Sequence, residues 1–134
     1  MIIGMAPSVQ SEILGRLKTS NFPFELTGSH YFGCPNANSD YDFFAKYTSE
    51  TSEWLQEIGF DVTWSYKDVA IREVLVHTEG NIHVQLVIPE MMTAKRIVQE
   101  VFKTSGHVRP TRPEWNLALL IAQKAFLCKG YSVD

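Results

Sequence analysis

Apolar residues at the start of the chain recur every three or four positions, which is the spacing of one face of an α-helix. They follow Ser8, a residue type that favours the N-cap position, and the helical pattern ends at segment 21–23. The chain is therefore predicted to open with a helix. The apolar positions of this helix are Val9, Ile13, Leu14 and Leu17.

Runs rich in β-branched and aromatic residues predict the strands. These runs cover residues 24–27, 41–47, 60–65, 69–76 and 82–88. Segment 34–39 is rich in turn-forming residues and is predicted to be a loop between the first two strands. Segment 78–81 predicts a hairpin between the last two strands, with Gly80 supplying the positive φ of a tight turn.

Helical patterns fill most of the remaining chain. Thr51 and Ser52 can cap a helix that Gly59 closes at its C′ position. Pro89 opens another helix, which Gly106 ends. The apolar face predicted for this second helix comprises Ala94, Ile97, Val98, Val101 and Phe102.

The last predicted helix opens at Pro113, a residue type suited to the first helical position. It is apolar nearly all round, so we expect it to be buried on most sides. Together the elements predict an α+β fold, with a central mixed β-sheet of about five strands flanked by helices.

Composition narrows the class of protein. The 134 residues are 45% hydrophobic and 20% charged, which are globular values and predict a single domain spanning residues 1–134. A net charge of −3 argues against binding nucleic acid mainly through non-specific phosphate contacts. The longest apolar run, 117–122, is far shorter than the roughly 20 residues of a membrane span. We therefore expect a cytoplasmic protein with no membrane contact.

One segment carries candidate chemistry. Gly28 and Ser29 follow a predicted strand and open a predicted short helix, where backbone N–H groups and a hydroxyl suit a phosphate. Asp40 and Asp42 begin the next strand, so both carboxylates point to one face, with Cα atoms roughly 6–7 Å apart. Paired carboxylates are oxygen ligands for hard cations such as Mg²⁺.

The pattern Gly-Ser-x-x-x-Gly followed by Ser-Asp-x-Asp, over residues 26–42, resembles the signature of the DNA polymerase β-like nucleotidyltransferase superfamily. The order of predicted elements extends this resemblance to about residue 88. The resemblance implies that Asp40 and Asp42 bind two Mg²⁺ ions. It also implies that Gly28 and Ser29 hold the phosphates of a nucleoside triphosphate.

The chain departs from that signature on a later strand, where the family carries a third carboxylate. The matching slot holds Gln85, whose amide can ligate a metal but cannot act as a general base. His83 shares a face with Gln85 and can substitute as the base. The resemblance also implies that basic residues near the end of the sequence face the triphosphate. The candidates are Arg109, Arg112 and Lys124.

Three functions stay open from the sequence. The first is an enzyme that moves a nucleoside monophosphate from a nucleoside triphosphate to a hydroxyl on a small molecule, a nucleic-acid end or a protein. The second is a non-catalytic module of the same fold that binds a nucleotide, a partner protein or a second copy, in an antitoxin-like or regulatory role. The third is a structural α+β domain in which both motifs are coincidental.

Overall fold

The computed structural model describes residues 8–33, 35, 39–63, 68–106 and 110–132. Its helices are α1 (Val9–Thr19), α2 (Gly28–Phe32), α3 (Ser49–Glu57), α4 (Met92–Thr104) and α5 (Arg112–Ser132). Its strands are β1 (Glu25–Thr27), β2 (Tyr41–Lys46), β3 (Asp61–Thr63), β4 (Ile71–His77) and β5 (Ile82–Val87). The predicted α+β class is confirmed.

The strands form one mixed sheet in the order β1-β2-β5-β4-β3. The central pair, β2 and β5, is parallel, and the other neighbours are antiparallel. The parallel register places Asp42 beside His83 and Phe44 beside Gln85. Because side chains alternate along a strand, these four residues share one face of the sheet.

Helices cover both faces of the sheet. On one face, α1 and α3 pack on the apolar side of β5, around Leu17, Leu55 and Val84. On the other face, α4 and α5 pack on Phe44 and Val87. The face that carries the polar residues of β2 and β5 therefore lies beneath α4 and α5.

Hydroxyl side chains cap the first and third helices. Ser8 caps α1 as predicted, because its Oγ accepts a hydrogen bond of 3.1 Å from the Ser11 amide. The caps predicted for α3 are wrong, because the helix begins earlier and Thr48 Oγ1 accepts from the Thr51 amide at 3.0 Å. Thr51 and Ser52 lie buried in the first turns instead.

The β4–β5 hairpin also differs from the prediction. The positive φ of its turn belongs to Asn81, at 56°, rather than to Gly80. Gly80 instead leaves room for the His77 ring, since a Cβ there would lie 3.0 Å from His77 Nδ1 and the ring would have to shift slightly. That same ring nitrogen accepts a 2.9 Å hydrogen bond from the Gly80 amide, which ties the turn to the end of β4.

The prediction that α5 is buried on most sides is wrong. Leu119 and its neighbours pack against the domain, but Leu117, Leu120 and Ile121 are 60%, 49% and 60% exposed. Over residues 112–125, where the structure describes the side chains of α5, apolar residues therefore lie both against the domain and in solvent. None of the helices that the structure describes has the length and apolarity that a membrane crossing requires.

Candidate functional site

A cleft of about 430 Å³ opens where β2 and β5 begin, beneath α4 and α5. It brings together the five residues that the sequence assigned to phosphate binding, to metal binding and to the slot of the third carboxylate. These residues are Gly28, Ser29, Asp40, Asp42 and Gln85. The antiparallel pairing of β1 with β2 places Thr27 beside Asp42. Because Gly28 and Ser29 directly follow Thr27, they lie close to the carboxylates.

The two predicted metal ligands meet at an imidazole. His83 Nε2 lies 3.2 Å from Asp40 Oδ2, and His83 Nδ1 lies 3.6 Å from Asp42 Oδ1. One ligand atom from each of the three side chains lies within 4.8 Å of the other two. This separation suits a single divalent ion, and all three side chains keep some access to solvent.

Gly28 is the residue that lets Asp42 reach this position. Its φ is +71°, and a Cβ on it would overlap Asp42 Oδ2 and lie 2.9 Å from the Asp42 Cβ. The sequence predicted that glycine would give a phosphate access to the backbone. The structure shows that the close approach it permits is that of the Asp42 carboxylate.

We expect Gly28→Ala to lower the free energy of unfolding by about 2 kcal/mol or more, because the left-handed conformation alone costs roughly 1–2 kcal/mol and Asp42 must also move. Urea denaturation measures the loss. Gly15→Ala is the matched control, because Gly15 lies in α1 with open space around it and alanine favours helices. Equal stability of the two variants would contradict this account.

A buried lysine forms part of the cleft wall. Lys95 on α4 is only 1% exposed, and its Nζ lies 3.3 Å from Asp68 Oδ2. Burial lowers the pKa of its ammonium group, while the carboxylates of Asp68 and Asp42 act in the opposite direction. The rings of Phe44 and Trp115 lie 5.5 and 5.1 Å from the Lys95 nitrogen. The cleft wall therefore carries the Lys95 amino group within electrostatic range of Asp42, a candidate metal ligand.

Asp68 anchors this lysine through a network of its own. Its Oδ2 also accepts a 2.7 Å hydrogen bond from Trp115 Nε1, and its Oδ1 accepts one of 2.8 Å from the Ala70 amide. The network joins the segment before β4 to α4 and α5. It fixes the part of the cleft wall that Asp68, Lys95 and Trp115 form.

Sequence reasoning missed both Lys95 and Asp68. The predicted apolar face of α4 is rotated from the observed one, because Ile97 and Val101 are exposed while Lys95 faces the core. A signal was present, since Lys95 follows the buried Met92 and precedes the buried Val98 by three residues. A lysine at a core-facing helical position indicates a buried partner or a ligand.

The remaining predicted residues divide between the cleft and other places. Gln85 lines the cleft two residues beyond His83, and its Oε1 is buried with no hydrogen-bond partner among the described residues. Arg112 lines the cleft, whereas Lys124 is exposed on α5 and is not among the residues that line it. Arg109 lies outside the described residues.

The site thus combines two carboxylates, an imidazole, an amide and a buried ammonium group in one cleft. The side chain that joins the two carboxylates in a possible metal-binding group is His83, whereas the sequence had assigned the third position to Gln85. Comparison of the chain with protein-family models, with curated proteins and with solved structures yields no match.

Proposed function

We propose that the protein is a nucleotidyltransferase, which moves a nucleoside monophosphate from a nucleoside triphosphate to a hydroxyl acceptor. The observation that carries the proposal is that Asp40, Asp42 and the Gly28–Ser29 turn line the same cleft. Two carboxylates that hold a cation next to donors for phosphate oxygens are the parts that phosphoryl and nucleotidyl transfer need.

The resemblance implies Mg²⁺ as the cofactor, in two positions. The carboxylates of Asp40 and Asp42 fit a divalent cation, because their ligand atoms lie close enough to share one ion. When bound, the cation would neutralise charge on the phosphates and polarise the phosphorus under attack.

The chain's own groups would bind and orient the triphosphate. Ser29 offers a hydroxyl donor, and Lys95 and Arg112 supply positive charge along the cleft wall. The ring of Trp115 also lines the cleft. These groups act by positioning and electrostatics, which account for most of the catalysis in phosphoryl transfer.

A non-catalytic module of the same fold is the second candidate. The observation that favours it is the neutral amide of Gln85 in the slot where the family resemblance implies a carboxylate. Such a module would bind a nucleoside triphosphate or a partner protein and release no pyrophosphate.

Calorimetry and a turnover assay on the same protein separate these functions. In the calorimeter, each nucleoside triphosphate is titrated into the protein in the presence of Mg²⁺ or Mn²⁺. In the turnover assay, the protein is incubated with a nucleoside triphosphate labelled on its α-phosphate and with sugars, RNA ends or protein hydroxyls as acceptors. If the protein is a nucleotidyltransferase, we expect binding heat together with transfer of label. If it is a non-catalytic module, we expect binding heat alone, and if both motifs are coincidental, we expect no heat.

A further inference from the structure

We infer that His83 is the third metal ligand of this site and that it makes the site selective for Mn²⁺ over Mg²⁺. The inference rests on the proposed function for the role of the metal, but it concerns metal binding alone. It replaces the all-oxygen site of the resemblance with two carboxylates and one imidazole nitrogen.

The first argument is position. Parallel pairing of β2 with β5 makes His83 the direct neighbour of Asp42, and both point beneath α4 and α5. The imidazole lies between the carboxylates, with its nitrogens 3.2 Å and 3.6 Å from their oxygens. One ion can take only one of these nitrogens, and one nitrogen and one oxygen from each carboxylate lie within 4.8 Å of one another. Two ligands bound at right angles to one ion, each about 2.1–2.2 Å from it, lie about 3 Å apart, so these side chains must close in by about 1–2 Å to share an ion.

The second argument is that no third carboxylate competes with His83 for the metal. No glutamate joins the cluster in the described part of the chain, and Glu73 accepts a 2.7 Å hydrogen bond from Ser52 instead. Asp68 lines the cleft but is engaged by Lys95 and Trp115. Gln85 offers only a neutral amide oxygen in the same cleft. Among the described His, Cys, Asp and Glu residues, His83 is therefore the third side chain within ligand range of both carboxylates.

The third argument is donor chemistry. Mg²⁺ binds oxygen almost exclusively and depends on negative charge to offset the loss of its water. Replacing a carboxylate by imidazole removes charge and adds a nitrogen, which favours first-row transition ions. Two of the three donors remain carboxylates, and carboxylates suit Mn²⁺. Of the two ions compared, Mn²⁺ therefore accepts the mixed donor set better than Mg²⁺ does.

The test measures metal binding to the full chain without nucleotide. The electron paramagnetic resonance signal of free Mn²⁺ reports its binding, and competition with Mg²⁺ gives the ratio of the two dissociation constants. We expect the wild-type protein to prefer Mn²⁺ by about 30-fold or more. His83→Ala should weaken Mn²⁺ binding about 10- to 100-fold and change Mg²⁺ binding much less.

His83→Asp is the second variant, and it keeps the test sharp if His83→Ala is poorly folded. It restores a third carboxylate, so we expect tighter Mg²⁺ binding and a Mn²⁺ preference at least tenfold smaller than that of the wild type. Circular dichroism checks that both variants retain the wild-type fold. The inference is overturned if the wild type binds neither ion, or if its preference for Mn²⁺ survives both substitutions unchanged.

The two proposals fail in different ways. If Mn²⁺ binds selectively through His83 but no nucleotide is transferred with either ion, the metal site stands and the proposed function fails. If transfer occurs and requires Asp42, while the Mn²⁺ preference does not depend on His83, this inference alone fails.

Discussion

Asp42→Asn should lower the rate of nucleotide transfer by about 1,000-fold or more, because it removes one of the two carboxylates that would hold the cation. Asparagine keeps the size of the side chain, so the contacts with Gly28 and His83 retain their shape. The predicted loss comes from charge rather than from packing. Steady-state release of pyrophosphate, compared at equal protein concentration, measures the rate.

Asp61→Asn is the matched control for this substitution. Asp61 lies exposed on β3, at the edge of the sheet away from β1, and it does not line the cleft. We expect its rate to stay within about twofold of wild type, since surface substitutions away from special features have small effects. Similar rates for Asp42→Asn and Asp61→Asn would remove Asp42 from the mechanism.

Asp68→Ala should lower the free energy of unfolding by about 3–5 kcal/mol, because it leaves the buried ammonium group of Lys95 without its partner. It also removes the acceptors of the Trp115 and Ala70 hydrogen bonds. Urea denaturation at neutral pH measures the change. The Asp68→Ala, Lys95→Met double variant should recover much of the loss, since an apolar side chain of similar length replaces the unpaired charge.

The same pair predicts a direction for the pH dependence of stability. Burial holds the pKa of Lys95 below its ordinary value of 10.5. At pH values between the lowered pKa and 10.5, the unfolded chain therefore binds more protons at Lys95 than the folded protein does. In that range the contribution of Lys95 to the free energy of unfolding rises with pH. Removing Asp68 lowers that pKa further, so the rise should begin at a lower pH in Asp68→Ala.

Unfolding curves collected from pH 7 to pH 10 test this prediction. The difference in stability between Asp68→Ala and wild type should shrink as pH rises, because the unpaired amine loses its charge. The double variant lacks the titrating group and should not show the effect. A constant difference across the range would contradict the prediction that Lys95 loses its proton at a lower pH in Asp68→Ala than in wild type.

Much of the site could be predicted because its parts follow from local rules. Strand alternation predicts Asp40 and Asp42 on one side, and both line the cleft, although β2 begins only after Asp40. A glycine at a strand end can adopt the positive φ that Gly28 has. The position of His83 needed more than a local rule. Its contact with Asp42 depends on the register of a parallel pair whose members lie about forty residues apart, and neither sequence pattern fixes that register.

The rest of the site depends on how helices dock. Lys95 could be placed on α4 from the sequence, but its burial depends on the docking of α4 over Phe44 and on Asp68 coming from another segment. The exposure of Leu117 and Ile121 on α5 could not be predicted for the same reason. The sequence shows that these residues are apolar, but it does not show which other element packs on them. Such contacts belong to the tertiary structure.

The central claim is that this cleft transfers nucleotides with the help of a cation on its two carboxylates. The most direct measurement is pyrophosphate release from α-labelled nucleoside triphosphates in the presence of Mn²⁺, for wild type and for Asp40→Asn. The account predicts that the wild type releases pyrophosphate and transfers an equal amount of label to an acceptor, and that the variant does neither. Equal release by both proteins, or triphosphate binding by the wild type without any release, would contradict it.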